Sequence, residues 1–205
     1  HRIARRQRQM CIRDRREANQ AASVVAWLVR RDGVNLPLAD YVHSGLLDLD
    51  VFVQVAVIDK HGILRASTIP DFKPIDLSDR EHFRVHLDDP STRLFVGRPV
   101  IGRISGKTSI QLSERVNDPQ GRFLGVIVVS MPPSYLTELY DTLRLGHDGL
   151  VSVVGTYDFE IRARRSGDRS NLDWLRLPQN SPLRIALSTS PRGHFDAVSP
   201  IDHVQ

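Results

Sequence analysis

One strand-and-turn pattern occurs twice along this chain, and it limits the folds open to it. Val55-Ala56-Val57-Ile58, a turn at 59–62 and Leu64-Arg65-Ala66-Ser67 are matched by Val151-Ser152-Val153-Val154, a turn at 155–159 and Ile161-Arg162-Ala163-Arg164; Val55 and Val151 are 96 residues apart. Each half is a β-hairpin by its apolar runs and turn residues. A repeat at this scale points to two related modules in tandem, not to a solenoid of short units, unless two apolar hairpins look alike without being related. A second copy of the whole first module would place its closing hairpin near residue 203 of 205. The second module is therefore expected to be truncated and the chain to be a piece of a longer protein.

The segments between the hairpins alternate helix and strand signals. Residues 14–31 form a helix by the spacing of Ala18, Ala21, Ala22, Val25, Leu28 and Val29, and Asp32-Gly33 stops it. Arginines at its start oppose the helix dipole, so the helix starts further upstream or the preceding residues are foreign to it. The run 51–58 predicts the first strand. Ser78-Asp79-Arg80-Glu81 has the form of a capping box opening a short helix over about 79–87. A Gly- and Pro-punctuated segment then leads to strands at 107–116 and 123–131, stopped by Pro132-Pro133. Ser134 is expected to cap a helix to about 143, with Leu136, Leu139, Tyr140 and Leu143 on one face. Hairpin, helix, long hairpin and helix in this order predict an α+β fold, antiparallel sheet with helices packed on it.

Charge is distributed unevenly. The first 31 residues carry nine arginines against Asp14 and Glu17, a net of +7, so a chain total of +4 leaves −3 for the remaining 174 residues. A mildly acidic body with a basic head is not a nucleic-acid-binding surface, and no nucleic-acid partner is expected. Cys11 is the only cysteine, which rules out an internal disulfide, a CxxC redox pair and a multi-thiolate zinc site. No apolar run approaches the roughly 20 residues needed to cross a bilayer.

No motif nominates chemistry. Ser105-Gly106-Lys107-Thr108 resembles the end of a phosphate-binding loop, but Ile101 stands where that loop needs Gly and a strand follows where it needs a helix. His82 and His86 have the i, i+4 spacing of a metal pair without the Glu of HExxH or a nearby thiol. There is no GxSxG elbow. What does stand out is a gathering of donors and rings between residues 80 and 109: Arg80, His82, Phe83, His86, Arg98, Phe95, Arg103 and Ser109. Arginine forks suit a carboxylate or phosphate, and aromatic walls exclude water. The plainer alternative is that these arginines pair on the surface with Asp79, Asp88 and Asp89.

Three stretches carry a family resemblance. They are Asp76-Leu-Ser-Asp79-Arg80-Glu81-His82-Phe83-Arg84-Val-His86, then Val96-Gly97-Arg98-Pro99-Val100-Ile-Gly102-Arg103-Ile-Ser105-Gly106-Lys107-Thr-Ser109-Ile110, then Asp118-Pro-Gln-Gly121-Arg-Phe123-Leu-Gly125-Val-Ile-Val-Val-Ser130. From about Ala18 to its end the chain resembles the double Cache sensor domains of bacterial diguanylate cyclases and histidine kinases. The resemblance implies two PAS-like modules on a long N-terminal helix, held outside the cytoplasm between membrane helices that this chain lacks. In the amino-acid-sensing branch an Arg-x-Trp-Tyr run takes the ligand carboxylate and an Asp takes its amine. Arg80 matches the Arg, His82 stands for Trp and Phe83 for Tyr, while the Asp falls at Pro132 or is absent. That removes the amine's counter-charge and leaves a small anion, held through Arg80. Met10-Cys11-Ile12-Arg13-Asp14-Arg15 fits nothing in the family.

Together these readings divide the chain into 1–15, non-native or disordered; 16–44, helix and connector; 45–143, a membrane-distal PAS-like module; and 144–205, a partial membrane-proximal one. The expected function is an extracytoplasmic sensor on the periplasmic side of the inner membrane, not itself an enzyme, with no catalytic residues, metal or cofactor. Arg80 anchors an anionic ligand between helix 79–87 and the sheet, with His82, Phe83, His86, Arg98, Arg103 and Ser109 around it. A homodimer through Ala21, Ala22, Val25, Trp27 and Leu28 is expected. The rival readings are a soluble metal-dependent hydrolase or transferase built on His82 and His86, and a spacer that binds nothing.

Overall fold

The computed structural model describes residues 2–48, 51–91, 93–138, 150–155, 158–166, 169–170 and 176–190. They divide into two compact units, His1–Tyr135 and Leu136–Gln205.

The first unit is a five-stranded antiparallel sheet between helices. Its elements are α1 (Arg2–Asp32), α2 (Leu38–His43), β1 (Gln54–Asp59), β2 (Leu64–Ser67), α3 (Glu81–Asp88), β3 (Phe95–Ile101), β4 (Thr108–Asn117) and β5 (Phe123–Met131), with strand order β2-β1-β5-β4-β3. The helix expected from residue 14 begins at Arg2 and ends with Arg30 and Arg31, where the dipole favours cations. Its buried face, Ala18, Ala22, Val25, Ala26 and Val29, packs on β4 and β5. Alternation along the strands turns Val55, Val57, Ile110, Leu112, Ile127 and Val129 into the core on one side, each buried. Full burial of each such Val, Ile or Leu contributes roughly 1.5–3 kcal/mol.

The opposite face carries Ala56, Ile58, Val126 and Val128, which form a second buried cluster with Leu64, Leu77 and Phe83. α3 lies over β3, β4 and β5.

Several boundaries differ from the sequence expectation. β1 starts at Gln54, not at Val51, because its partner runs out: Gln54 pairs with Ser130, and β5 ends at Met131 before two prolines. β3 falls in the segment expected to be irregular. It is an edge strand with a register shift between Val96 and Pro99, the place where a residue without an N–H is tolerated. The capping box does not form. The Ser78 amide donates to Asp76 Oδ1 at 2.8 Å, the Glu81 carboxylate accepts from Arg98, and Arg80 becomes the N-cap residue without a side-chain cap. α4 (Pro133–Glu138) begins one residue before Ser134, with Pro at its first turn, where a missing N–H costs nothing. Leu139, Tyr140 and Leu143 of that expected helix lie outside the described residues.

In the second unit β6 (Leu150–Val154), β7 (Ile161–Ser166) and β8 (Arg169–Ser170) form an antiparallel sheet in that order, with α5 (Pro182–Thr189) following. The expected hairpin is there: Ser152 pairs with Arg164 and Val153 with Ala163. Its turn is closed by the Gly155 amide on the Glu160 carbonyl at 2.9 Å.

Candidate functional site: a cleft between the sheet and the start of the third helix

The sheet face under α3 is not filled at one end. A cleft of about 400 Å³, counted out to its open mouth, is lined by Gln54, Ala56 and Ile58 of β1, Leu64 of β2, Gln111 of β4, and Val128 and Ser130 of β5, roofed by Leu77, Arg80 and His82 and edged by Gly102, Arg103 and Ile104.

Of the expected residues, the fold brings Arg80, His82 and Arg103 together here. Arg80 is half-buried, and its Nη2 donates to the Ile101 carbonyl at 3.0 Å. No carboxylate of the described residues lies within 4 Å of its guanidinium. The His82 ring is buried, and burial, with the nearby Arg80 and His86, lowers its pKa to about 4. It is neutral at pH 7. Arg103 is committed to the protein: Nη1 and Nη2 bind the two oxygens of Asp79 at 2.8 and 2.6 Å, and Nη1 also meets the Asp76 carbonyl at 2.8 Å. The bidentate bond from Arg103 holds the Asp79 carboxyl below the usual carboxylate range. Arg103 thus latches the β3–β4 turn to the segment before α3.

The other four expected residues are not in the cleft wall. Phe83 is 2% exposed, inside the apolar cluster and 6.2 Å from the Phe123 ring. It points into the core because it follows His82 on α3, and the sheet below offers Val126 and Phe123. His86, one turn on, shares a 2.8 Å hydrogen bond with the Ser113 hydroxyl and meets Phe95 edge-on. Burial, then Arg115, brings its pKa down to about 4. Arg98 sits on the edge strand and is drawn outward to Glu81 at 3.4 Å. Ser109 is fully buried and serves the cleft indirectly, accepting from Gln111 Nε2 at 2.8 Å. His82 and His86 therefore face different surroundings, and among the described residues no three His, Cys, Asp or Glu side chains gather as a metal site.

Gln54, Gln111 and Ser130 were missed. They stand side by side on three strands, Gln54 opposite Ser130 and Ser130 opposite Gln111. The available signal was Gln54 within the apolar run 51–58 and Ser130 within 123–131, costly placements without a partner, whereas Gln111 sits in a strand of mixed polarity that gave no such signal. Here Ser130 donates to Gln111 Oε1 at 2.8 Å, and Gln54 Nε2 donates to Ser67 Oγ at 2.9 Å. The lining contains no carboxylate.

The expected dimer stripe is also overturned. Ala21, Ala22, Val25 and Leu28 are at most 8% exposed, covered within their own unit. Only Trp27 of that group is open, at 55%, with the Arg31 guanidinium 4.5 Å above its ring.

No family model and no curated protein sequence matches the chain. The likeness is to solved structures. The extracellular domain of rpHK1S-Z16, assigned as a histidine kinase, shares 25% sequence identity over 92% of this chain and 77% of its own, with a TM-score of 0.76. The ligand-binding domain of the Campylobacter jejuni chemoreceptor Tlp3 in complex with L-norvaline matches at 16% identity over 89% of this chain and 73% of that one, TM-score 0.54. The sensory domain of the same chemoreceptor with isoleucine bound matches at 15%, covering 89% and 74%, TM-score 0.53. The fold is thus that of Cache-type extracellular sensor domains, as the sequence resemblance implied. These neighbours are sensing domains and not catalytic ones. No helix among the described residues is long and apolar enough to cross a membrane.

Proposed function

We propose that this chain is the extracytoplasmic ligand-binding region of a bacterial transmembrane signalling protein, a histidine kinase or a diguanylate cyclase, facing the periplasm. Residues 45–143 and 144–205 are its two PAS-like modules, and the cleft of the first takes a small carboxylate on Arg80. The observation that carries the proposal is the Arg80 guanidinium, half-buried over the cleft with no carboxylate partner among the described residues, while Arg98 and Arg103 nearby each have one. An arginine fork in a place shielded from water binds a carboxylate by charge-assisted hydrogen bonds. An acid-free lining disfavours a ligand that brings an ammonium with it.

Transmission follows from the sheet. β4 and β5 present Gln111, Val128 and Ser130 to the cleft and Ile110, Leu112, Ile127 and Val129 to α1, so a ligand that prefers one arrangement of these strands biases the helix packed behind them.

The test is a thermal-shift screen of small carboxylates on the whole chain. At about a hundred times Kd a bound ligand stabilises by about 2.7 kcal/mol, a rise in Tm of about 5–10 °C for a chain of this size. Arg80→Ala should abolish the rise and, losing one hydrogen bond, lower the Tm of the free protein by about 1–6 °C. A panel in which no carboxylate raises Tm, or in which Arg80→Ala responds as the unaltered chain does, would overturn the proposal.

A further inference from the structure

We infer that the ligand over Arg80 is a short hydroxycarboxylate whose hydroxyl is read by the side-chain amides of Gln54 and Gln111. This rests on the Arg80 reading above and adds what the rest of the molecule must look like.

The floor of the cleft is a line of polar groups set in a hydrophobic sheet. Gln54, Gln111 and Ser130 are 7%, 4% and 4% exposed. Their hydrogen bonds run along the sheet: Ser130 Oγ to Gln111 Oε1, Gln111 Nε2 to Ser109 Oγ, and Gln54 Nε2 to Ser67 Oγ. What these bonds leave over defines the guest. An amide has two N–H donors and a carbonyl oxygen with two lone pairs. Each NH₂ here has spent one hydrogen. The Gln54 oxygen accepts from no described residue. Left over on the cleft floor are therefore the Gln54 oxygen, the second lone pair of the Gln111 oxygen, the lone pairs of the Ser130 hydroxyl and one hydrogen of each amide.

A hydroxyl answers both, since it donates once and accepts twice. A methylene answers neither and leaves the amides desolvated. An ammonium brings a positive charge to a lining that has an arginine above it and no carboxylate to balance it. The remaining wall, Ala56, Ile58, Leu64 and Val128, accommodates a few carbons. The matching molecule has an anionic end for Arg80, a short carbon stem and a neutral hydroxyl for the sheet.

Three compounds of nearly one shape separate the possibilities: lactate, propionate and alanine, which carry a hydroxyl, a hydrogen and an ammonium at the same carbon. Calorimetric titration of the whole chain at pH 7 should give lactate a Kd about tenfold below that of propionate, the value of one or two satisfied hydrogen bonds, with alanine the weakest. Gln54→Met should remove the advantage of lactate over propionate, with propionate, which no longer desolvates that amide, binding at least as tightly as before and so reporting that the variant is folded. Arg80→Ala should weaken lactate and propionate alike. Equal binding of lactate and propionate, alanine as the tightest, or a lactate preference that survives Gln54→Met would each overturn the hydroxyl assignment while the Arg80 reading stands. Failure of all three to bind would overturn both.

Discussion

Three arginines of one donor cluster have three different fates, and the difference lies in which carboxylate each can reach. Among the described residues Arg103 finds Asp79, Arg98 finds Glu81, and Arg80 finds the Ile101 carbonyl and no carboxylate. The histidines show the same dependence on surroundings. His82 is held neutral by burial, with Arg80 and His86 adding repulsion against Asp79's weaker opposite pull, and His86 by burial and Arg115 against the Ser113 bond. Both pKa values stand at about 4 in the fold, against an ordinary value of 6.5. Between those two values the unfolded chain takes up the protons and the folded chain does not. Their contribution to stability is whole above about pH 6.5 and is lost as pH falls toward about 4. Tm measured from pH 7 down to 4.5 should fall steadily, and more shallowly in His82→Gln. A flat profile in that interval would show that the rings are protonated without cost.

At the scale of elements, turns and close approaches govern where the strands can sit. A Cβ on Gly125 would lie 2.1 Å from the Ile58 carbonyl oxygen, where β5 crosses to β1, and the residue has φ +157°. Gly125→Ala should therefore destabilise the first unit by about 1–3 kcal/mol, readable as a lower midpoint in urea. Gly62, at φ +86° and with Ser78 Cβ 2.5 Å from any added methyl group, holds the β1–β2 turn against the segment before α3 in the same way. The β3–β4 turn is held differently, by one side chain. Arg103→Ala should speed hydrogen exchange at the Gly102 and Gly106 amides, which close that turn on Lys107 and Gly102, without moving exchange in β1 or β5. Unchanged exchange in the turn would mean that its backbone bonds suffice.

For the molecule as a whole, every residue that lines the cleft falls between Gln54 and Ser130, inside the first unit. A chain ending at Glu138 should therefore fold and give the same carboxylate-induced rise in Tm as the full chain. Loss of that rise in a truncated chain that still melts cooperatively would mean that the second unit completes the site.

Much of this was legible beforehand, for local reasons. The spacing of Ile110, Leu112 and Val116 located β4 to within one residue, and a continuous apolar run between breakers located β5 at its bounds, because a strand covered on both faces is apolar throughout; the second hairpin was legible in the same way. Helical spacing marked the buried face of α1, and Arg80 stood out by its chemistry. What covers that face, and which groups Arg80 is set among, depends on residues far away in sequence. The helix stripe read as a dimer surface is filled by the chain's own sheet. Phe83, His86, Arg98 and Ser109 left the wall, and Gln54, Gln111 and Ser130 entered it, because strand register brought those three together. Periodicity tells each side chain which way to face. Only the assembled sheet and helices decide what it faces, since hydrogen bonds and ion pairs form across a few ångströms of space between segments tens of residues apart.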